Sequence, residues 1–148
     1  MITNNKYIQI VARLVLGGLF LLVGLGKIEH AVSFAGEIGN YDLLPELLVN
    51  ISAIVLPWVE VILGLMLILG YKMKTSALLT GGLLIVFIAA VGSAFARGLN
   101  IDCGCYSQYV SQKVGWDKII ENSILTVFAI LIFISKNNSL SLDGYLKK

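Results

Sequence analysis

Two cysteines separated by one glycine are the residues of this chain best suited to chemistry: Asp102-Cys103-Gly104-Cys105-Tyr106. They are its only cysteines. A disulfide needs alpha carbons within about 4.4–6.8 Å, a range that residues two apart reach only in a tight turn. Gly104 makes that turn cheap. The ring so closed would be small and strained, which favours a labile, exchangeable bond. A structural disulfide gains stability from the length of chain it closes, and this pair closes almost none. The spacing therefore points to thiol–disulfide exchange at Cys103 and Cys105, against the plainer reading of two inert or merely stapling thiols.

Cations near a thiol favour the thiolate. Arg97 stands shortly before the motif, Lys113 follows it, and Lys27 ends an earlier apolar stretch expected on the same side. Asp102 acts in the opposite direction, so the sign of the net shift stays open. The single histidine, His30, with two thiols would make a poor three-ligand zinc site, and no metal site is expected.

The elements that must position this motif are apolar. Of 148 residues, 57% are hydrophobic and 14% charged, against roughly 25% charged in soluble domains; the mean hydropathy is +0.87. Four stretches, about 8–28, 47–71, 75–96 and 116–135, are each long enough for the ~20 residues that a bilayer-crossing helix requires. None alternates polar with apolar as a barrel strand does. The expected fold is all-α: one domain over 1–148, an integral membrane four-helix bundle. The first stretch is too long for a signal peptide and lacks a small-x-small site after it, so it reads as a retained helix. Glycines inside the stretches (Gly17, Gly18, Gly24, Gly26, Gly64, Gly81, Gly82, Gly92) suit close helix packing in lipid.

Lysines and arginines set the orientation. Lys6, Lys72, Lys74, Lys136 and the Lys147-Lys148 tail fall on one side, which places both termini in the cytoplasm. The two long connections, the second carrying the cysteines, then face outwards from a multi-pass protein of the cytoplasmic (inner) membrane. That is a compartment where disulfides form and persist. In the first connection Phe34, Ile38 and Tyr41 share one face of a short interfacial helix. Pro45 ends that segment and suits the start of the next.

Charged residues inside the stretches are the second clue. Glu60 lies near the middle of the second, where a carboxylate is costly and is usually paired or functional. Arg13, in the first stretch, is the expected partner in a pair that fixes helix packing; the sharper alternative makes Glu60 a proton carrier. Trp58, Glu121 and Asn122 are weaker candidates for a pocket beneath the cysteine motif, although Glu121 equally suits the positive start of a helix.

The chain resembles the MauE/DoxX group of small four-helix membrane proteins. The likeness rests on Arg13, Gly24-x-x-Lys27, Tyr41-x-Leu-Leu-Pro45, Pro57-x-x-Glu60-x-x-x-Gly64 and Asp102-Cys103-Gly104-Cys105, in that order, over about 10–130. Phe-Gly often follows the second cysteine in that pattern; Tyr106-Ser107 stand here. The resemblance implies handling of disulfides or electrons outside the membrane beside a periplasmic thioredoxin-like protein. It extends in architecture to the quinone-linked enzymes DsbB and vitamin K epoxide reductase. Those use two cysteine pairs and this chain has one, so either Cys103 and Cys105 serve both the electron acceptor, such as a quinone, and the client directly, or the acceptor is another protein.

Three functions compete. A membrane thiol:disulfide oxidoreductase or electron relay comes first. A binder of soft metals such as mercury or copper is chemically open to two thiolates, but only three methionines occur in the chain. A non-catalytic assembly subunit for an exported redox enzyme is the third. No basic cluster suggests nucleic acid, and no phosphate loop or hydrolytic triad is evident.

Overall fold

The computed structural model describes residues 5–102, 113, 115–135 and 145. Those residues form five principal helices: α1 (Lys6–Glu29), α2 (Ala31–Asn40), α3 (Glu46–Leu69), α4 (Met73–Ala96) and α5 (Trp116–Ile134). Their bounds lie within two residues of the four expected stretches. The short helix expected in the first connection is α2, with Phe34 and Tyr41 buried and Ile38 partly so.

Local chemistry sets the ends. The Asn5 side chain accepts a hydrogen bond from the Tyr7 amide at the start of α1, supplying one of the donors that a helix start leaves unpaired. Pro45 caps α3 with extended backbone. At the other end of α3, Gly70 takes the left-handed conformation at φ 70°. There the Tyr71 amide reaches the Met66 carbonyl and the Gly70 amide the Leu67 carbonyl. That double closure is the usual glycine stop, and it turns the chain directly into α4.

Helices α1, α3 and α4 have 24 residues each and are apolar enough to cross a membrane. At 1.5 Å per residue each spans about 36 Å, enough for a hydrocarbon core of about 30 Å. The fourth stretch differs from its expectation. At 19 residues α5 is long enough, but Asp117, Lys118 and Glu121 in its first two turns make it more charged over a membrane-spanning length than the other three. It nevertheless packs along α4 for much of its length.

The bundle is built as two pairs. Helix α1 lies antiparallel on α3, and α4 on α5; α1 with α5 and α3 with α4 make the lesser contacts, and α2 rests on α3. Leu16, Phe20, Leu67, Ala77, Leu84, Ala129 and Ile132 form the buried centre. Leu22, Ile54, Ile62, Leu78, Ile85 and Val127 are more than half exposed. Lipid is a solvent that matches such a surface, with the backbone polar groups satisfied inside the helices.

Glycine does set the closest contact, at particular positions. A Cβ on Gly17 would stand 2.8 Å from the Gly64 carbonyl oxygen, and one on Gly64 would stand 2.7 Å from that of Gly17. Gly24 touches Val61 and Pro57 in the same way, at 2.8 and 2.9 Å. These three residues bring α1 and α3 together backbone to backbone. Gly18, Gly82 and Gly92 face open space, so the packing expectation does not extend to them.

Candidate functional site

Cys103, Gly104 and Cys105 lie outside the described residues. What is described is how the chain enters and leaves their segment. Helix α4 ends in a second glycine stop: Gly98 sits at φ 68° and the Leu99 amide reaches back to the Ala94 carbonyl. Asp102 and Lys113 then form an isolated antiparallel bridge. The residues on either side of the cysteine segment are thus backbone partners, six residues after α4 and three before α5.

The cations expected to serve the thiols have other engagements. Arg97 caps α4, and its Nη2 donates to the backbone carbonyl of Tyr41. The contact ties the end of α4 to the end of α2. Lys27, expected at the surface, is 1% exposed. Its Nζ donates to Glu60 Oε1 at 2.7 Å and stands 4.6 and 4.8 Å from the ring centres of Phe34 and Phe87. Two aromatic faces and a carboxylate together stabilise an ammonium that has left water.

This corrects the expected Glu60–Arg13 pair. Glu60 is buried, at 2% exposure, but its partner is Lys27. Arg13 instead donates from Nε to the Leu67 carbonyl at 3.0 Å and from Nη2 to the Ile68 carbonyl at 3.1 Å. The physical reason is register. The Gly17–Gly64 and Gly24–Pro57 contacts set α1 level with α3 so that Arg13 meets the last turn of α3. Glu60 lies some two turns away, about 12 Å along the axis. Lys27 comes one turn after Gly24, which already touches Val61 beside Glu60.

The pair borders a cavity of about 30 Å3, room for one or two waters. Leu19, Phe20, Leu84, Phe87 and Leu125 give it apolar walls, and Asn122 of α5 adds a polar one. Glu60 Oε2 has no hydrogen-bond partner among the described residues. A buried carboxylate oxygen beside a water-sized space can accept or pass a proton, whereas its sister oxygen holds Lys27. Of the three weaker candidates only Asn122, at 7% exposure, reaches this cavity. Trp58 is 55% exposed on the outer surface of α3. Glu121 pairs with Lys118 one turn earlier at 2.6 Å, an ordinary i,i+3 contact. Sequence reasoning missed Phe34 and Phe87 as walls of the ammonium site; for Phe34 the signal available is the face it shares with Ile38 and Tyr41.

Comparison with known proteins identifies the family. The family model described as "Methylamine utilisation protein MauE" matches residues 5–135. The Methylamine utilization protein MauE of Paracoccus denitrificans is 35% identical over 121 residues, covering 81% of this chain and 65% of that protein. Its counterpart in Methylorubrum extorquens is 35% identical over 112 residues, covering 75% and 60%, and that of Paracoccus versutus 32% over 116 residues, covering 78% and 62%. The chain therefore spans somewhat less than two thirds of the length of these relatives. No solved structure matches. By the extent of the family match and these identities, the chain is a membrane protein that belongs to the MauE family.

Proposed function

We propose that the chain is a membrane thiol:disulfide oxidoreductase, or electron relay, acting through Cys103 and Cys105 on an extracytoplasmic partner of thioredoxin-like fold. The observation that carries this reading is the Asp102–Lys113 bridge. It holds together the two ends of the segment that bears both thiols, immediately beyond the membrane helices. Two thiols one residue apart between such ends suit an exchange with a protein partner better than a staple between distant elements. The relatives' shared name suggests that the exchange serves methylamine utilisation.

A thiolate of the pair attacks one sulfur of the partner's disulfide and displaces the other as thiolate. The second cysteine then attacks the resulting mixed disulfide, freeing the partner as a dithiol and leaving Cys103–Cys105 oxidised. Two electrons pass to the partner, and the reverse sequence passes them back. A membrane quinone or a second protein then completes the cycle by taking or supplying two electrons and two protons.

The reading is tested by removing each cysteine in turn. One of Cys103→Ala and Cys105→Ala, but not the double variant, should accumulate a covalent adduct with the partner that reductant releases. Non-reducing gels and mass spectrometry on natively expressed protein read this directly. Loss of thiophilic metal binding in both variants without any adduct would turn the reading to metal capture. Loss of stability alone would turn it to a non-catalytic assembly subunit.

A further inference from the structure

Helices α3 and α4 are joined by a short turn at one end, yet they touch little and splay towards the other. Across the opening lies α2. The space left between the three helices is a cavity of about 540 Å3, far larger than the one beside Glu60. Leu56, Val86 and Ala90 give it aliphatic walls, and it is open on one side. Its polar character is concentrated at the α2 end. Glu37 lines it there, with Oε2 buried and without a hydrogen-bond partner among the described residues. Tyr41, one turn after Glu37, lines it too, and its backbone carbonyl accepts from Arg97. The Arg97 side chain is exposed, and a guanidinium has donors beyond the one used on Tyr41.

We propose that this cavity is a binding site for a phospholipid with a primary ammonium head group. The match is one of charge and shape. An acyl chain fits an aliphatic groove that opens sideways in a membrane helix bundle. The ammonium meets the Glu37 carboxylate that lines the cavity, and the phosphate of the same head reaches towards the Arg97 guanidinium, held on the Tyr41 carbonyl one turn along α2. Both contacts are charge-assisted hydrogen bonds, the stronger class. An anionic glycerol head would bring no positive group to Glu37 and would set its phosphate against that carboxylate. A quinone fits the apolar walls but offers Glu37 no cation. The lipid would fill the gap under α2 and hold it on α3 and α4, next to the Arg97 contact that precedes the cysteine segment.

Native mass spectrometry of the full chain in detergent tests the assignment, with ethanolamine and glycerol phospholipids of identical acyl chains as probes. The ethanolamine lipid should be retained about tenfold better, the scale of one charge-assisted contact to a buried group. Glu37→Gln keeps the shape and removes the charge, and should erase that preference. Ala90→Leu narrows the groove and should weaken retention of both lipids. Circular dichroism and the gel-filtration profile establish that each variant is folded; Glu37→Gln, on a short interfacial helix, carries the test alone if Ala90→Leu is not. Equal retention of the two lipids by the wild type would overturn the proposal, as would a preference unchanged in Glu37→Gln. So would a quinone that displaces the ethanolamine lipid, or protection of the groove by the chain's own cysteine segment.

Discussion

Helix α1 buries two cations, and the protein uses them in opposite ways. Arg13 serves the backbone: its planar fork reaches the carbonyls of Leu67 and Ile68 in the last turn of α3, the first of which also accepts from the Gly70 amide. Nearby, Gln9 donates to Ser135 beyond the end of α5. That end of the bundle is a lock. Lys27 is spent on a side chain, and the carboxylate it meets keeps one oxygen uncommitted beside a water-sized cavity. Arginine suits two carbonyls because its donors diverge in a plane, and lysine suits one carboxylate oxygen as a compact charge. The difference separates a site that only holds helices together from one that holds helices and retains a group able to titrate or exchange a proton.

The largest effect should come from breaking the second site. Glu60→Ala strands Lys27 between two phenyl rings, and losing one partner of a buried ion pair costs about 3–5 kcal/mol. Thermal unfolding in detergent should show it, with Lys27→Met/Glu60→Met recovering much of the loss. Arg13→Met removes the charge itself and strands only neutral acceptors, about 1–3 kcal/mol for an unsatisfied buried group, and should cost less. If Arg13→Met is as damaging as Glu60→Ala, or the double replacement is no better than the single one, the contrast between lock and pair fails.

How much of this was legible beforehand follows the same division. Each helix carries its own signal: apolar length for α1, α3 and α4, the Phe34/Tyr41 face for α2, and proline before α3. The loss of a clear fourth span traces to Asp117, Lys118 and Glu121, which a reading by apolar content passed over. Glu60 was legible as a buried carboxylate. Its partner was not, because pairing depends on the stagger between α1 and α3, and no single helix encodes that. Arg13, Gly17, Gly24 and Lys27 fall on one side of α1, so helical face could not choose between the two cations. The signal that could have chosen lies in glycine. Gly17 must meet Gly64 and Gly24 must meet Pro57 and Val61 for the backbones to touch, and only that register brings Lys27 to Glu60. Trp58 and Glu121 lie away from the Glu60 cavity; a helix's outward direction is not given by composition.

That register is open to a smaller but cleaner test. Gly64→Ala puts a methyl 2.7 Å from the Gly17 carbonyl and 2.9 Å from the Leu21 amide nitrogen, both backbone atoms that cannot step aside. Forcing α1 from α3 should cost about 1–3 kcal/mol, and it should loosen the Lys27–Glu60 and Arg13 contacts together. Gly82→Ala is the control: nothing lies within 4 Å of the added carbon, so the change should be neutral or slightly stabilising, by up to about 1 kcal/mol through helix propensity. Equal effects of the two substitutions on detergent unfolding would mean that the glycines do not set the stagger.

The smallest effect on stability, and the sharpest on function, is expected at Asn122. It belongs to the α4–α5 pair, whereas Lys27 and Glu60 belong to α1 and α3, so the cavity they share is where the two halves of the bundle meet in polar chemistry. Removing one neutral amide should cost only about 1 kcal/mol. Two replacements separate what the cavity does. Asn122→Ala keeps it open and wet, leaving room for water to reach Glu60 Oε2. Asn122→Leu fills it with hydrocarbon and leaves that oxygen facing an apolar wall. If Glu60 handles protons during thiol exchange, the leucine variant should slow turnover with the thioredoxin-fold partner much more than the alanine variant, at matched folded protein. Turnover equal to wild type in both would make the cavity a packing void. The Lys27–Glu60 pair would then join Arg13 as a lock, and the contrast between the two cations would be one of partner alone.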